Sequence, residues 1–402
     1  NTLSIAFCAT LFSALAGTAL AYLMAYTDLR AKACLEALIL SLLAIPSYII
    51  AISWSNLFAD NGLFYSLPLT GYLPAIQMYS LGGIAFVMGI CHIPIVYLTV
   101  VNALRRIPRS LEWAARVSGC SPRRVLYHIN LPLAMPAIAA GSVLSFLASI
   151  DNFAIPAFLG ISANLPVLST YIYEKTISFG PSSFSTAAGL SIFLSLIAFA
   201  AILLQHHFTE KGAFYGNGRE DFAIRIHMTK KRRLAAEFIA FGGMGLLTLL
   251  PFLSMAAVSL QKSEGLGFNA ANLSLHHYGV LISYSEAWRS IGTSLFLSGS
   301  TALLCAVLGT LCAFCILRHH SRMACLLEDG ASAYYAIPGI VIALAMIFYW
   351  GKVPYMYGSL GILLLAYSLR YLILSIKNSK TALLTLGPSL EEAARICGSS
   401  TL

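Results

Sequence analysis

Residues Ser110 to Pro132 read SLEWAARVSGCSPRRVLYHINLP, a polar interruption in an apolar chain. The stretch opens as a helix. Leu111, Ala114, Ala115 and Ser118 fall at i, i+3, i+4 and i+7, which lines small and apolar side chains along one stripe. Gly119 is placed to end that helix, because glycine enters the left-handed C′ conformation without a Cβ penalty. Ser121 and Pro122 read as an N-cap followed by proline at the first helical position. A second short helix is predicted from Arg123 to about Ile129, stopping near Leu131 and Pro132. The bracket carries Arg116, Arg123 and Arg124. Alone, it is an ordinary basic loop between spans. A second copy changes its meaning. Ser389 to Ser400 reads SLEEAARICGSS, identical to Ser110–Ser121 at eight of twelve positions.

The surroundings of both copies are those of a membrane protein. The chain is 58% hydrophobic and only 10% charged, against roughly 25% charged in soluble globular domains. Nine stretches are long and apolar enough to cross a bilayer: about 2–26, 34–58, 80–103, 137–160, 183–205, 234–260, 289–317, 325–350 and 359–377. The predicted fold is therefore all-α, a polytopic membrane helix bundle. Lys and Arg set its orientation. Segments 27–33, 104–136, 206–233, 318–324 and 377–402 fall on one side and hold 20 of the 25 basic residues. This is the positive-inside pattern, so both loop copies are predicted to be cytoplasmic. It also accounts for the net charge of +9, which faces lipid headgroups rather than nucleic acid. The nine cysteines lie mostly within apolar runs and give no disulfide framework; Cys312-x-x-Cys315 reads as small helix-packing residues.

The repeat extends beyond the loops. A shift of 292 aligns Leu3 with Leu295, Gly17 with Gly309 and Pro46 with Pro338, and a shift of 279 aligns the loops themselves. Equivalent elements keep the same sidedness, so the repeat is parallel. The layout is a first module at 1–205, a cytoplasmic linker at 206–233 and a second module at 234–402. The second module has a lead helix, 234–260, for which the first has no counterpart. That asymmetry predicts a helix before Asn1 and further spans after Leu402, about twelve in the intact protein.

The spacing E-A-A-x3-G-x9-I-x-L-P resembles the cytoplasmic loop of the membrane subunits of bacterial binding-protein-dependent ABC importers. The first copy supplies Ala114, Ala115, Gly119, Ile129, Leu131 and Pro132; the second supplies Glu392, Ala393, Ala394 and Gly398. One departure stands out. The family's glutamate falls at Trp113 in the first copy, with Glu112 just before it, whereas the second copy has both Glu391 and Glu392. The resemblance implies that each loop forms a coupling helix seated in a cleft of a cytoplasmic ABC ATPase dimer, with Arg116 and Arg395 as charge-assisted donors. It also implies a periplasmic or lipoprotein substrate-binding protein and a place in the inner membrane. The sequence has no G-x-x-x-x-G-K-[ST] phosphate loop, H-E-x-x-H helix or G-x-S-x-G elbow. The chain is thus expected to be a transport subunit and not an enzyme, with ATP and Mg held by the partner.

The fused layout and the segments DNFAIPAFLG and LSTYIYE look most like the ferric-iron-type branch of these permeases. Thiamine, phosphonate, polyamine and other small solutes remain alternatives, since selectivity in such systems is expected to lie with the binding protein. Within the spans, His92, Asp151, Asn152 and Arg370 are the transport-path candidates, because polar groups at membrane depth mark pathways by default. Hydrogen bonding to a neighbouring helix is the alternative for His92 and Arg370, and capping for Asp151 and Asn152. No metal-ligand set is evident. A secondary transporter driven by an ion gradient is the alternative of a different class; it would carry several intramembrane carboxylates, of which these spans hold almost none, Asp60 and Asp151 sitting at ends.

Overall fold

The computed structural model describes residues 1–59, 62, 64, 76–178, 182–213, 221–263, 270–385 and 396–398. Fifteen α-helices run through them: α1 Thr2–Tyr26, α2 Lys32–Ala44, α3 Ser47–Leu57, α4 Leu81–Arg106, α5 Arg109–Val117, α6 Pro122–Val125, α7 Leu131–Asp151, α8 Leu168–Ile177, α9 Ser183–Ala213, α10 Lys230–Ser259, α11 His276–Ser283, α12 Ser285–His319, α13 Arg322–Ala336, α14 Gly339–Trp350 and α15 Leu360–Thr385. Strand pairing among the described residues is confined to two isolated bridges. Among the described residues, seven helices are long and apolar enough to span a membrane, and up to nine spans result if each of two bent pairs counts once.

Those bent pairs refine the sequence reading. The stretches predicted as single spans at 34–58 and 325–350 each break. α2 and α3 meet at 103°, and α13 and α14 at 109°. The breaks fall at the repeat-equivalent prolines Pro46 and Pro338, each the N-cap of the second helix of its pair. Proline clashes with an α-helical residue before it, and Ile45 and Ile337 are accordingly extended, with ψ of 126° and 132°.

The chain forms two compact units, Asn1–Gly279 and Val280–Leu402. In the first, α1 lies along α4, α7 packs on both, and α9 covers α7. Trp54, Tyr26 and Tyr97 are its largest fully buried side chains. A polar ladder crosses this apolar core. Ser13 Oγ and Ser145 Oγ lie 2.7 Å apart and join α1 to α7. His92 Nδ1 lies 3.0 Å from Ser149 Oγ and joins α4 to α7. In the second unit α12 lies along α15, with α13 against both. Cys312 and Cys315 pack there around Ile316, Ala324 and Ile376.

The internal repeat is visible in matched contacts. A Cβ on Gly17 would lie 2.9 Å from Val96 Cβ, and one on Gly309 would meet the Ser375 side chain. Val96 and Ser375 are themselves equivalents under the 279 shift. Each unit thus brings its first long helix against its third at a glycine, the close approach that membrane helices use in place of a hydrophobic driving force. A carboxylate on each short helix also reaches the long one: Glu36 accepts from Tyr97 Oη at 3.3 Å, and Glu328 pairs with Lys380 at 2.7 Å.

The packing division and the repeat division differ. α10, the lead helix of the second module by sequence, packs on α2 and α3 of the first unit. Ser53 donates to Met255 Sδ at 3.2 Å, and the Arg30 amide donates to Glu237 at 2.9 Å.

Candidate functional site

The loop that decided the sequence reading closes one end of the first unit. α5 runs from Arg109 to Val117 and ends in a Schellman turn. The Cys120 amide donates to Ala115 O and the Gly119 amide to Arg116 O, both at 3.0 Å. Gly119 sits at φ +86° and its repeat-mate Gly398 at φ +85°, so both copies make the same left-handed turn. Ser121 Oγ then accepts from the Arg124 amide at 3.4 Å, and Pro122 opens α6, as its N-cap position predicted.

The predicted stop near Leu131 and Pro132 is absent. α6 passes through a π-type turn, Leu126–Asn130, directly into α7, and both residues lie in the first turn of α7. Proline has no N–H for the carbonyl four residues back, and the wide turn just before it takes up the change of register.

α5 has two different sides. Ala114, Arg116 and Gly119 are exposed and Ala115 is half-buried. Trp113 is 60% exposed and Val117 89%. Glu112 faces the other way and is buried. Its Oε1 lies 2.5 Å from Arg225 Nη1, in an ion pair with the linker. Glu391, Glu392, Ala393, Ala394 and Arg395 of the second copy lie outside the described residues.

Arg225 is the centre of a network that the sequence reading missed. Its Nη2 donates to the Ile107 carbonyl at 2.7 Å, at the joint between α4 and α5. Its guanidinium stacks over the Tyr26 ring at 4.5 Å, at the end of α1. Its backbone amide donates to Tyr26 O at 3.0 Å. Asp221 adds a second tie, 2.5 Å from Arg109 Nε, while its amide donates to Arg105 O at 2.9 Å. Further along, Asp28 accepts from the Met228 amide at 3.0 Å and from Arg233 at 3.3 Å. The Met228 amide, with Arg233 beside it, holds the Asp28 carboxyl below the usual carboxylate range. The linker is thus not a plain tether. Residues 206–213 extend α9, 230–233 begin α10, and 221–229 strap the ends of α1, α4 and α5 together. A partial signal lies in the period-two alternation of Phe222, Ile224, Ile226 and Met228, of which Phe222 and Ile224 are exposed. Ile226 and Met228 do pack on the core.

The same contacts gather three of the basic segments, 27–33, 104–136 and 206–233, at one end of the unit. Asp151 and Asn152 lie at the opposite end of α7. Asn152 Oδ1 accepts from the Ile155 amide at 3.1 Å, a capping contact. His92 is held inside the α1–α4–α7 core by Ser149. Arg370 donates from Nη1 to the Ile337 carbonyl, satisfying an acceptor freed by the break before Pro338, and lies 5.2 Å over the Tyr335 ring. Within the first unit, His92 and Asn152 thus answer to different partners, Ser149 and the Ile155 amide. No group of three or more His, Cys, Asp or Glu able to hold a metal occurs among the described residues.

Comparison with known proteins supplies the family. Residues 17–211, which include α5 and its Schellman turn, match the family described as binding-protein-dependent transport system inner membrane component. Residues 17–211 thus carry the domain of that family. The chain is a multi-pass protein of the bacterial inner membrane. The ferric transport system permease protein FbpB of Actinobacillus pleuropneumoniae is 24% identical over 333 residues, 81% of this chain and 47% of the relative. The Fe(3+)-transport system permease protein FbpB 2 of Haemophilus influenzae is 23% identical over 402 residues, covering 99% of this chain and 72% of the relative. A putative 2-aminoethylphosphonate transport system permease protein, PhnU, of Salmonella choleraesuis is 28% identical over 181 residues, covering 44% of this chain and 63% of the relative. The chain thus spans about half the length of the Actinobacillus relative and nearly three quarters of the Haemophilus one.

Proposed function

We propose that this chain is the membrane permease subunit of an ATP-driven importer for ferric iron. Cargo arrives from an extracytoplasmic substrate-binding protein and leaves to the cytoplasm by alternating access of the two modules. ATP and Mg belong to a cytoplasmic ABC ATPase dimer. α5 is the coupling helix of the first module, and the loop around Gly398 is that of the second.

The observation that carries this reading is the outward face of α5. A short basic helix holds Trp113, Ala114 and Val117 out to solvent, ended by a glycine turn that recurs in the second copy. An exposed apolar cluster on a helix that also exposes Arg116 suits a protein partner. Iron is favoured over phosphonate because the ferric relatives align across both modules, whereas the phosphonate relative aligns with less than half of the chain.

The test is reconstitution of the full-length protein in proteoliposomes with its co-purifying ATPase and its binding protein. Uptake of ⁵⁵Fe³⁺ is expected to require ATP, stop with vanadate and survive a proton uncoupler. Uptake of 2-aminoethylphosphonate in place of iron would overturn the substrate assignment. Uptake that is lost with the uncoupler and indifferent to vanadate would overturn the ATP-driven reading.

A further inference from the structure

We propose that Arg225 is a positioning residue for coupling: it holds α5 in docking orientation and binds its movement to that of the linker and α10. This inference rests on the reading of α5 as a coupling helix. Three observations support it. First, one guanidinium contacts three elements: Glu112 on α5, the Ile107 carbonyl at the α4–α5 joint and the Tyr26 ring at the end of α1. The planar fork of arginine can serve two acceptors while stacking on a ring; the ammonium of lysine cannot. Second, the Arg225 side chain is 3% exposed and that of Glu112 is 11% exposed. An uncompensated charge left there by loss of one partner would force α5 to move. Third, the strap continues into α10 through Asp28 and Arg233. Tilting of α10 would therefore be passed to α5 through contacts that are short and mostly out of solvent.

The departure at Trp113 now has a physical account. The acidic residue of the first loop sits one position earlier, on the buried side of α5, and is consumed within the chain. The face left for a partner is aromatic and basic. The arginine that consumes it lies on the segment joining the two modules, so this clamp depends on their being one chain. The second loop retains Glu392 at the position where the first has Trp113. The two loops are accordingly unequal: the first is held from within by the linker, and the second keeps an acidic residue at the family's position.

The experiment compares wild type, Arg225→Lys, Arg225→Ala and Glu112→Gln in the full-length protein assembled with its ATPase. Two readouts are taken: amide hydrogen exchange across Arg109–Val117, and the ratio of ATP hydrolysis with and without the loaded binding protein. Exchange in α5 is expected to rise at least about tenfold in Arg225→Ala and less in Arg225→Lys, with α1 and α4 unchanged away from their ends at Tyr26 and Arg106. The stimulation ratio should fall in the same order. Unchanged α5 exchange in both arginine variants would overturn the proposal. So would faster exchange with full stimulation, since the clamp would then be structural only. Arg225→Lys serves where Arg225→Ala fails to assemble. A wild-type protein that captures no ATPase would overturn the coupling-helix reading itself, and that failure is visible before any substitution is made.

Discussion

Replacing Gly119 and Gly398 together with valine is expected to release the ATPase from a membrane subunit that stays folded. Both glycines sit in the left-handed region, at φ +86° and +85°. An L-residue there costs about 1–2 kcal/mol, and a β-branched one is strongly disfavoured. Nothing lies within 4 Å of a Cβ built on either glycine. The penalty is therefore conformational, with no clash to carry it into the spans. The cheapest relief is to open the Schellman turn, which gives up the Cys120 and Gly119 hydrogen bonds and re-aims α5 against α6. Co-purified ATPase should fall at least about tenfold, the equivalent of roughly 1.4 kcal/mol. Yield and elution volume of the membrane subunit should not change. Gly119→Val alone should release less. Full retention of the ATPase by the double variant would remove the loops from the docking account.

Gly17→Leu should have the opposite signature, a lost fold with an intact loop. A Cβ at that position lies 2.9 Å from Val96 Cβ, 3.0 Å from Ile93 O and 3.0 Å from the Tyr97 amide. Two of these three neighbours are backbone and cannot rotate away. Leucine there must push α1 off α4 and opens the packing around Tyr97 and Val100, which are fully buried. Overpacking a tight interior costs about 1–3 kcal/mol, and contact with backbone favours the upper end. The expected result is loss of the monodisperse peak in detergent and unfolding at lower denaturant. Gly189→Leu on α9, where a Cβ meets nothing within 4 Å, should match wild type. A well-folded Gly17→Leu protein would contradict the tight α1–α4 contact on which the repeat comparison depends.

Hydropathy made the spans legible, because every backbone polar group in lipid must be satisfied within a helix and this leaves long apolar runs in the sequence. The first run, 2–26, coincides with α1. Direction was less legible. A run of apolar residues reads alike whether the chain crosses or turns, so hydropathy alone does not show the breaks at Pro46 and Pro338. The caps of α5 and α6 could be read because Gly119, Ser121 and Pro122 each act on their own backbone. The end of α6 could not, since a π-type turn carries the helix through Pro132 and has no residue signature. Arg225 escaped for another reason. Its partners Glu112, Ile107 and Tyr26 are more than a hundred residues away in sequence, and only the fold brings them together. Of the pathway candidates, Asn152 and Arg370 bond to backbone and His92 to a neighbouring helix, contacts made over distances in sequence that only the fold closes for His92 and Arg370.

The most direct measurement is photo-crosslinking from position 117 in native membranes. Val117 is 89% exposed on the outward side of α5, and benzoylphenylalanine there reports on whatever covers the helix. It also avoids the chain's free cysteines, several of them exposed, which would confuse thiol chemistry. One dominant adduct is expected, to an ABC ATPase subunit, with a yield that changes when ATP and vanadate are added. A full-length protein that transports its substrate but gives no ATPase adduct from position 117 would contradict docking of α5 on the ATPase.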